Sequence, residues 1–316
     1  MNATIPIGVS TCLLGEKVRY DGGHKHDRYI TQTLGRYFRF VPVCPEAECG
    51  LGIPREAMHL TGDVDAPRLV TNKTGVDLTD KMRSWSAVRC EQLAAENLCG
   101  FIFKKGSPSS GLFRVKVYDA KGPPVSRGRG LFAAAFTEYF PRIPVEEEGR
   151  LQDPGLRENF IERVFALKRW REALAEEKNI GHLVAFHTYE KLLLMAHSPS
   201  HYRTMGRLVA QGKSMDIADL YDRYEKLLMG ALQLKATAAK HTNVLMHVLG
   251  YFKKQLSGDE KREVLELIEN YRRQQVPLIV PVTLMNHFVR KYAEPYLAGQ
   301  TYLNPHPLDL QLRNHV

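Results

Sequence analysis

Cysteine is scarce in this sequence, and no stretch of it has the length and apolarity of a membrane-spanning helix. The chain has 316 residues and five cysteines, and no apolar run approaches the roughly 20 residues that cross a bilayer. The N-terminal MNATIPIGVS also lacks the basic region and the long apolar core of a signal peptide. We therefore expect a cytoplasmic protein without a membrane partner, whose cysteines bind metal, act in catalysis or lie buried instead of forming disulfides.

Fixed-period repeats and low-complexity tracts are also missing, and acidic residues are outnumbered. Lys and Arg total 44 against 35 Asp and Glu, which gives a formal net charge of +9. A basic excess of this size is compatible with a polyanionic partner, although an ordinary basic globular protein has the same composition. The length and the 44% of hydrophobic residues are typical of two globular domains.

Short strand-like runs alternate with helical patterns in the first part of the chain. Strands are predicted at residues 5–10, 38–43, 100–104 and 113–119, and helices at 78–98 and 129–140. This alternation predicts an α/β domain over residues 1–145 with a mainly parallel, Rossmann-like sheet.

Strand patterns nearly vanish after residue 155. Apolar residues recur three and four apart, which predicts an all-α helical domain over residues 150–316. Ser257 and Glu260 have the spacing of a capping box at a helix start. The intervening PRIPVEEEGRLQDPG, residues 141–155, contains three prolines and a run of three glutamates, and it is predicted to be a linker.

Reactive side chains follow three of the predicted strands. Cys12 follows the first strand, Cys44 the second, and the hydroxyl-rich loop SPSSG, with Ser107 to Ser110, follows the strand GFIFK. Ligands bind beyond the carboxyl ends of strands in open parallel sheets, so these side chains are expected to meet in one pocket. Thiols from separate loops suit a metal or cluster held by the fold, but two buried cysteines fit the spacing as well.

Cys90 and Cys99 differ from Cys12 and Cys44 in their sequence surroundings. Cys90 falls inside a predicted helix, and Cys99 precedes a buried strand. Both are expected to pack in the core.

Three separate stretches resemble one known family. VSTCLLGEKVRYDGGHK, VPVCPEAECGLGIPRE and FKKGSPSSG resemble, in that order, the motifs of the TudS-like thiouracil desulfurases. The resemblance covers residues 5–140. The helical half, with its KHTNVLMHVLGYFKK segment, resembles the domain fused to it in longer relatives, an arrangement similar to that of tRNA 4-thiouridine desulfidases.

The resemblance implies an iron–sulfur cofactor, a [4Fe-4S] cluster held by three cysteines with one iron free of protein ligands. Two of these positions are Cys12 and Cys44, but the third, which closes SPSC in the family, is Ser110 here. A serine oxygen is a harder and less acidic ligand than a thiolate. Four explanations stay open: a substitution introduced into the protein, a natural cluster with two cysteines or a serine ligand, a third thiolate from Cys49, or loss of the cluster.

The resemblance also implies catalytic roles for Glu46 as acid and base and for Ser107 as a second catalytic residue that hydrogen-bonds the nucleobase or the water. Arg19, Tyr20, Asp21 and Ser109 are implied to bind substrate, and bracing of the first loop is the open alternative for Arg19, Tyr20 and Asp21. Glu46 as a loop carboxylate and Ser107 as a turn hydroxyl remain the plain structural alternatives. The implied reaction is a non-redox replacement of sulfur by oxygen, with water attacking the thiocarbonyl carbon of the base.

A tRNA carrying 4-thiouridine is the implied partner, and no protein partner is predicted. Candidate RNA contacts are the basic and polar residues Lys168, Arg169, Arg171, Lys240, His241, Asn243, His247, Tyr251, Lys253 and Lys254. His247 lies about one helical turn from Asn243 and Tyr251. Solvated helix faces or a buried hydrogen-bond network account for the same residues.

Three other functions remain possible at this point. The first is an enzyme that acts on free thiouracil-type bases, with the helical domain serving another purpose. The second is an RNA-binding protein with a vestigial cluster site, which Ser110 favours. A hydrolase with a cysteine nucleophile, Cys12 or Cys44, is the third.

Overall fold

The computed structural model of the chain describes residues 4–119, 122–175 and 177–316. The chain divides into two compact units, Met1–Asp153 and Pro154–Val316, here called the α/β unit and the helical unit. Within the described residues, all of the strands belong to the α/β unit.

The α/β unit alternates short strands with a few helices. Its strands are β1 (Ile5–Ser10), β2 (Phe38–Val43), β3 (Met58–Thr61), β4 (Arg68–Thr71), β5 (Gly100–Phe103), β6 (Val115–Asp119), β7 (Gly122–Gly128) and β8 (Val145–Glu147). Its α-helices are α1 (Pro45–Glu48), α2 (Thr79–Ala94) and α3 (Leu131–Tyr139).

The main sheet is entirely parallel, with strand order β2-β1-β5-β8. Its central strand β1 pairs with β2 along its full length, and all four residues of β5 are buried. Apolar runs buried on both faces are typical of parallel sheets. The predicted α/β fold with a mainly parallel sheet is therefore confirmed.

A second sheet, with order β4-β3-β6-β7, was not predicted. The strand expected at 113–119 forms β6, which begins at Val115 and pairs with β3 and β7 in this second sheet. β3 and β4 have only four residues each and are partly exposed, so their alternation is too short to distinguish from a loop.

The segment 141–155 is not the simple linker that its composition predicted. It contains β8, whose Glu146 and Glu147 are 6% and 1% exposed. Glu147 Oε1 accepts hydrogen bonds from the backbone N–H groups of Leu112 (2.8 Å) and Phe113 (3.1 Å). The glutamates are buried because backbone donors satisfy them, which a charge run in the sequence does not reveal.

A cluster of buried aromatic rings fixes α3 against the main sheet. The rings of Phe101 and Phe103 stack with their centroids 4.1 Å apart, and Phe136 lies 4.7 Å from Phe101. All three residues are fully buried. This packing sets the position of the α3 N-terminus, which contacts the serine-rich loop after β5.

The helical unit confirms the predicted all-α fold of the second half. Its α-helices are α4 (Pro154–Ala175), α5 (Ile180–His197), α6 (Pro199–Gln211), α7 (Ile217–Gln233), α8 (Ala238–Tyr251), α9 (Gly258–Arg272), α10 (Ile279–Lys291) and α11 (Pro295–Ala298). The predicted capping box is present, since Ser257 and Glu260 exchange side-chain-to-backbone hydrogen bonds. Among the described residues, no helix is long and apolar enough to cross a membrane.

A buried ionic network joins α4 and α5 to the C-terminal segment. Glu162 Oε2 lies 2.7 Å from His197 Nε2, and Glu162 Oε1 lies 3.1 Å from Arg313 Nη2. His197 Nδ1 is also 2.7 Å from the Leu234 carbonyl oxygen. Both ring nitrogens of His197 thus lie within hydrogen-bond distance of an acceptor. Burial alone raises the pKa of Glu162, but His197 and Arg313 outweigh it and lower that pKa below 4.5.

We expect Glu162→Gln to destabilise the protein by about 3 to 5 kcal/mol at neutral pH, because it removes the buried carboxylate that His197 and Arg313 share and leaves Arg313 only Glu158, at 3.5 Å. The lowered pKa means that Glu162 stabilises the fold above its unfolded pKa, near 4.5, and that this stability is lost as the pH falls towards the folded value. Thermal and urea unfolding by circular dichroism measure both effects. The exposed Glu263→Gln is the control, and a loss for Glu162→Gln no larger than in this control contradicts the assignment.

Candidate functional site

Three neighbouring strands of the main sheet end at the same edge. β1 leads into the turn Thr11–Leu14 with Cys12, and β2 leads into Cys44 at the start of α1. β5 leads through Lys104 into the loop of Ser107 to Ser110. Because β1 is parallel to both β2 and β5, all three carboxyl ends point the same way, as the sequence predicted.

These strand ends surround one cavity of about 380 Å³. Cys12, Cys44, Ser110, Glu46 and Ser107 all line it. The predicted convergence of the two thiols, the carboxylate and the serine loop is therefore present in the structure. The remaining charged and polar lining includes Arg19, Tyr20, Lys25, Arg55, Lys104 and Lys105.

Both thiols of the cavity are buried, and their environment favours the protonated form. Burial raises the pKa of Cys12, although Lys104 and Arg19 partly offset this effect. Burial and the Glu46 carboxylate raise the pKa of Cys44 to about 12. The Cys44 sulfur lies 3.7 Å from Glu46 Oε2 and 3.8 Å from the Val18 carbonyl oxygen. A free thiolate nucleophile at neutral pH is therefore disfavoured, whereas a metal ion that replaces the thiol protons suits the site.

The Ser110 hydroxyl occupies the third cavity position. Ser110 is 3% exposed, and its backbone N–H donates to Ser107 Oγ at 3.1 Å. Within the described part of the chain, its own hydroxyl forms no hydrogen bond. The loop therefore holds residue 110 by its backbone and leaves the side chain facing the cavity.

The Glu46 carboxylate is held by the serine loop. Glu46 Oε1 accepts hydrogen bonds from Ser109 Oγ (2.5 Å) and Ser107 Oγ (3.2 Å). Ser109 is fully buried and is not part of the cavity lining, so its contact with substrate stays a prediction. The Ser109 hydroxyl lies inside the cavity wall, where it orients Glu46. Of the two serines that hold Glu46, Ser107 is the one that lines the cavity.

Arg55 is a cavity residue that the sequence reasoning missed. Its guanidinium donates to the carbonyl oxygens of Val18 (3.0 Å) and Gly52 (3.1 Å), and Nη2 lies 3.6 Å from Glu46 Oε2. The side chain is 7% exposed. Arg55 therefore ties the loop before Arg19 to the Glu46 carboxylate. A lone arginine in GIPRE carries no sequence signal of this contact.

The structure places only part of the predicted substrate motif, Arg19, Tyr20 and Asp21, at the cavity. Arg19 and Tyr20 line the cavity. Asp21 does not, because its carboxylate accepts the N–H of Gly23 at 3.0 Å and lies 3.6 Å from Arg19 Nε. Its side chain closes an exposed turn, which fits the alternative that Asp21 braces the loop, and its contact with substrate stays a prediction.

The other cysteines lie in the core. Cys49 packs in the apolar cluster with Leu60, Leu69 and Met82, and it is not part of the cavity lining. The structure thus contradicts a third thiolate from Cys49. Cys90 and Cys99 are each 1% exposed, as expected for core residues.

Gly130 allows the serine loop to pack directly on the start of α3. A side-chain carbon at this position would lie 2.4 Å from the carbonyl carbon and oxygen of Ser109. The Phe132 N–H donates to the same Ser109 carbonyl at 2.9 Å, so the loop caps the helix.

We expect Gly130→Ala to push the loop away and to disturb the Ser109–Glu46 contact. The predicted result is a destabilisation of about 1 to 3 kcal/mol together with reduced desulfuration. Ala134→Gly on the same helix is the control for a general loss of α3 stability. Thermal unfolding and turnover measured side by side test this, and unchanged turnover in Gly130→Ala would refute it.

Several residues that were predicted to contact RNA have partners inside the helical unit. Arg169 forms a two-point ion pair with Glu190, at 2.7 and 3.2 Å. Lys240 donates to the His197 carbonyl oxygen at 2.7 Å, and the buried His241 contacts Tyr302 Oη at 3.0 Å. Burial lowers the pKa of His241 to about 3, so it is neutral. Partners inside the helical unit already use these three side chains, and their contacts with RNA stay predictions.

Two further cations of α4 also have partners. Lys168 lies 2.8 Å from Glu172, and Arg171 takes part in interactions within the described residues. By contrast, Asn243, His247, Tyr251, Lys253 and Lys254 are exposed. The rings of Tyr251 and Tyr296 stack with their centroids 5.2 Å apart. These residues remain predicted RNA contacts.

Comparison with known proteins assigns the two units. Residues 7–148 match the family described as 2-thiouracil desulfurase, and residues 191–307 match a family described as protein of unknown function (DUF1722). The α/β unit therefore carries a thiouracil desulfurase domain, the class of protein that its sheet edge and cavity suit.

One curated relative is similar enough to show the family of the chain. The Escherichia coli (strain K12) protein YbgA, described as uncharacterized, is 34% identical over 155 residues, which are 48% of this chain and 90% of YbgA. The chain belongs to the YbgA family. Among solved structures, it is similar to a [4Fe-4S]-dependent thiouracil desulfidase, TudS, with 29% identity, a TM-score of 0.39, and coverage of 48% of this chain and 95% of that chain.

Proposed function

We propose that this protein removes sulfur from 4-thiouridine in tRNA and leaves uridine. The observation that carries the proposal is the position of Glu46. Its carboxylate is held by Ser107 and Ser109 in the wall of the cavity that Cys12, Cys44 and Ser110 also line. A carboxylate that can act as a general base and two thiols that can bind a soft metal thus face the same cavity.

The cavity fits an iron–sulfur cluster at two of the three expected contacts. Cys12 and Cys44 present buried thiols, and iron in place of their protons would relieve the raised pKa values. Ser110 presents a hydroxyl at the third position, a harder and less acidic ligand. We infer that Cys12 and Cys44 hold a [4Fe-4S] cluster and that Ser110 holds it weakly. When bound, the cluster would supply a Lewis-acidic iron that accepts the thiocarbonyl sulfur.

The residues of the chain perform the proton transfers. Glu46 accepts a proton from the water that attacks the thiocarbonyl carbon, and Ser107 orients that water or the base by a hydrogen bond. The C=S bond is replaced by C=O, and the sulfur leaves as sulfide with the protons of the water. No electrons are gained or lost overall, so the reaction needs no reductant.

The cations at the cavity favour a nucleotide over a free base. Arg19, Lys25 and Lys105 line it, and Lys25 and Lys105 are exposed. A neutral thiouracil has no group for these charges, whereas a nucleotide in RNA brings phosphates. Extruding a stacked base costs a few kcal/mol, which phosphate contacts help to offset.

The substrate assignment is tested by the kcat/KM for 4-thiouridine in bulk tRNA against that for free 2-thiouracil and 4-thiouracil. Reconstituted Ser110→Cys protein is used under anaerobic conditions. We expect kcat/KM to be higher for tRNA. A Lys25→Gln/Lys105→Gln variant should lose activity on tRNA more than on free base. Faster turnover of free base, with unchanged ratios in that variant, would assign the enzyme to free thiopyrimidines.

A further inference from the structure

The helical unit has a concave surface that the proposed chemistry does not use. It is a groove of about 560 Å³ between α6 and α7. One side is formed by Thr204, Arg207, Leu208 and Gln211 of α6, and the other by Arg223, Lys226 and Leu227 of α7, so two leucines lie among the polar residues. Three positively charged side chains therefore line one groove.

Among the residues that the structure describes, two of these three cations have no partner of opposite charge. Arg223 pairs with Asp219 one turn earlier on α7, at 2.9 Å. Arg207 lies 3.4 Å from the Thr204 hydroxyl. In the part of the chain that the structure describes, neither Arg207 nor Lys226 forms an ion pair. The groove thus has an excess of positive charge that a bound anion would neutralise.

This excess distinguishes the groove from the cationic segments that the sequence singled out. Lys168 and Arg169 are already paired with Glu172 and Glu190. A phosphate that binds such a cation competes with an existing carboxylate, so little free energy is gained. Arg207 and Lys226 are exposed and free of that competition.

We propose that the α6–α7 groove binds the phosphodiester backbone of tRNA. The identity of the partner rests on the proposed function. An arginine fork donates to two phosphate oxygens at once, and a lysine supplies a point charge. Thr204 and Gln211 add neutral donors, which often contact phosphate in nucleic-acid complexes. Such contacts grip folded RNA regardless of its sequence.

The test is the Kd for unmodified bulk tRNA at several salt concentrations, measured by fluorescence anisotropy with the full chain. Unmodified tRNA is used so that binding is separated from sulfur removal. The groove variant is Arg207→Gln/Arg223→Gln/Lys226→Gln. The control, Lys261→Gln/Arg262→Gln/Arg290→Gln, removes the same charge from exposed sites outside the groove. Circular dichroism verifies that both variants are folded.

We expect the groove variant to bind tRNA at least about tenfold more weakly and to reduce the slope of log K against log salt by about 2 to 3. The control should change both much less. Arg207→Lys/Arg223→Lys should keep most of the affinity, because charge is retained. Equal losses in groove variant and control would overturn the proposal, as would an unchanged Kd and slope.

Two further outcomes separate this site from the proposed function. Should the groove variant lose tRNA affinity while no variant removes sulfur from any substrate, the groove assignment stands and the desulfuration proposal fails. The second outcome is that adenosine monophosphate binds saturably, that this binding depends on Arg207 and Lys226, and that the groove variant keeps its affinity for tRNA. This result would overturn the groove assignment in favour of a free nucleotide.

Discussion

Replacing Ser110 by cysteine raises the iron and sulfide that the protein retains after anaerobic reconstitution to nearly one full cluster per chain. The substitution changes one atom in a buried side chain that lines an open cavity, so the fold has room for it. Loss of partners beyond the direct ligands already costs about 10- to 100-fold in metal affinity. A direct thiolate ligand at residue 110 should therefore slow the loss of iron to a chelator by at least about 10- to 100-fold.

Ser110→Ala is the matched comparison for this experiment. If the serine oxygen contacts iron, the alanine variant loses iron faster than the parent, and both lose it faster than Ser110→Cys. Electron paramagnetic resonance of the reduced samples identifies the cluster independently of activity. Equal iron retention in all three proteins would mean that residue 110 does not contact the cluster.

Glu46→Gln, made in the Ser110→Cys background, lowers kcat for sulfur removal by about 10²- to 10⁴-fold, the usual contribution of a general acid or base. Glutamine keeps the shape and can still accept the hydrogen bonds of Ser107 and Ser109, but it cannot take a proton from water. Turnover is measured by loss of 4-thiouridine from tRNA, with iron content measured on the same sample.

Two variants control this result. Glu91→Gln removes an exposed carboxylate of α2 outside the cavity and should leave kcat unchanged. Ser109→Ala removes the shortest contact to Glu46 and should reduce kcat less than Glu46→Gln, because Ser107 still donates. A Glu46→Gln protein that keeps its cluster and its parental kcat would exclude Glu46 as the base.

The sequence predicted the main sheet and the convergence of the site for a clear physical reason. β1 and β5 are short, almost wholly buried apolar strands, and the reactive residues follow them directly. Parallel strands place whatever follows them at one edge. Because Cys12, Cys44 and the serine loop each follow a parallel strand, the sequence predicted that they lie close together even though the loop conformations were unknown.

The sequence is least informative where the partner of a polar residue decides what that residue does. Ser109 was expected to contact substrate but hydrogen-bonds Glu46 within the cavity wall, and Asp21 closes a turn with the nearby Gly23. Arg169 and His241 were candidate RNA contacts, with a buried hydrogen-bond network as the alternative for the set, and they contact Glu190 and Tyr302. Arg55 was overlooked for the same reason. Residue type shows what a side chain can bind, and only the fold determines its partner.

The account depends most on one claim, that Cys12, Cys44 and residue 110 hold a sulfur-accepting centre beside the base Glu46. The direct test is a single anaerobic turnover of 4-thiouridine tRNA in ¹⁸O-labelled water with cluster-loaded Ser110→Cys protein and no reductant. Mass spectrometry of the nucleosides should find one ¹⁸O in the uridine formed, with one sulfide released for each. Intact 4-thiouridine after incubation with fully loaded protein, or uridine without ¹⁸O, would contradict the account.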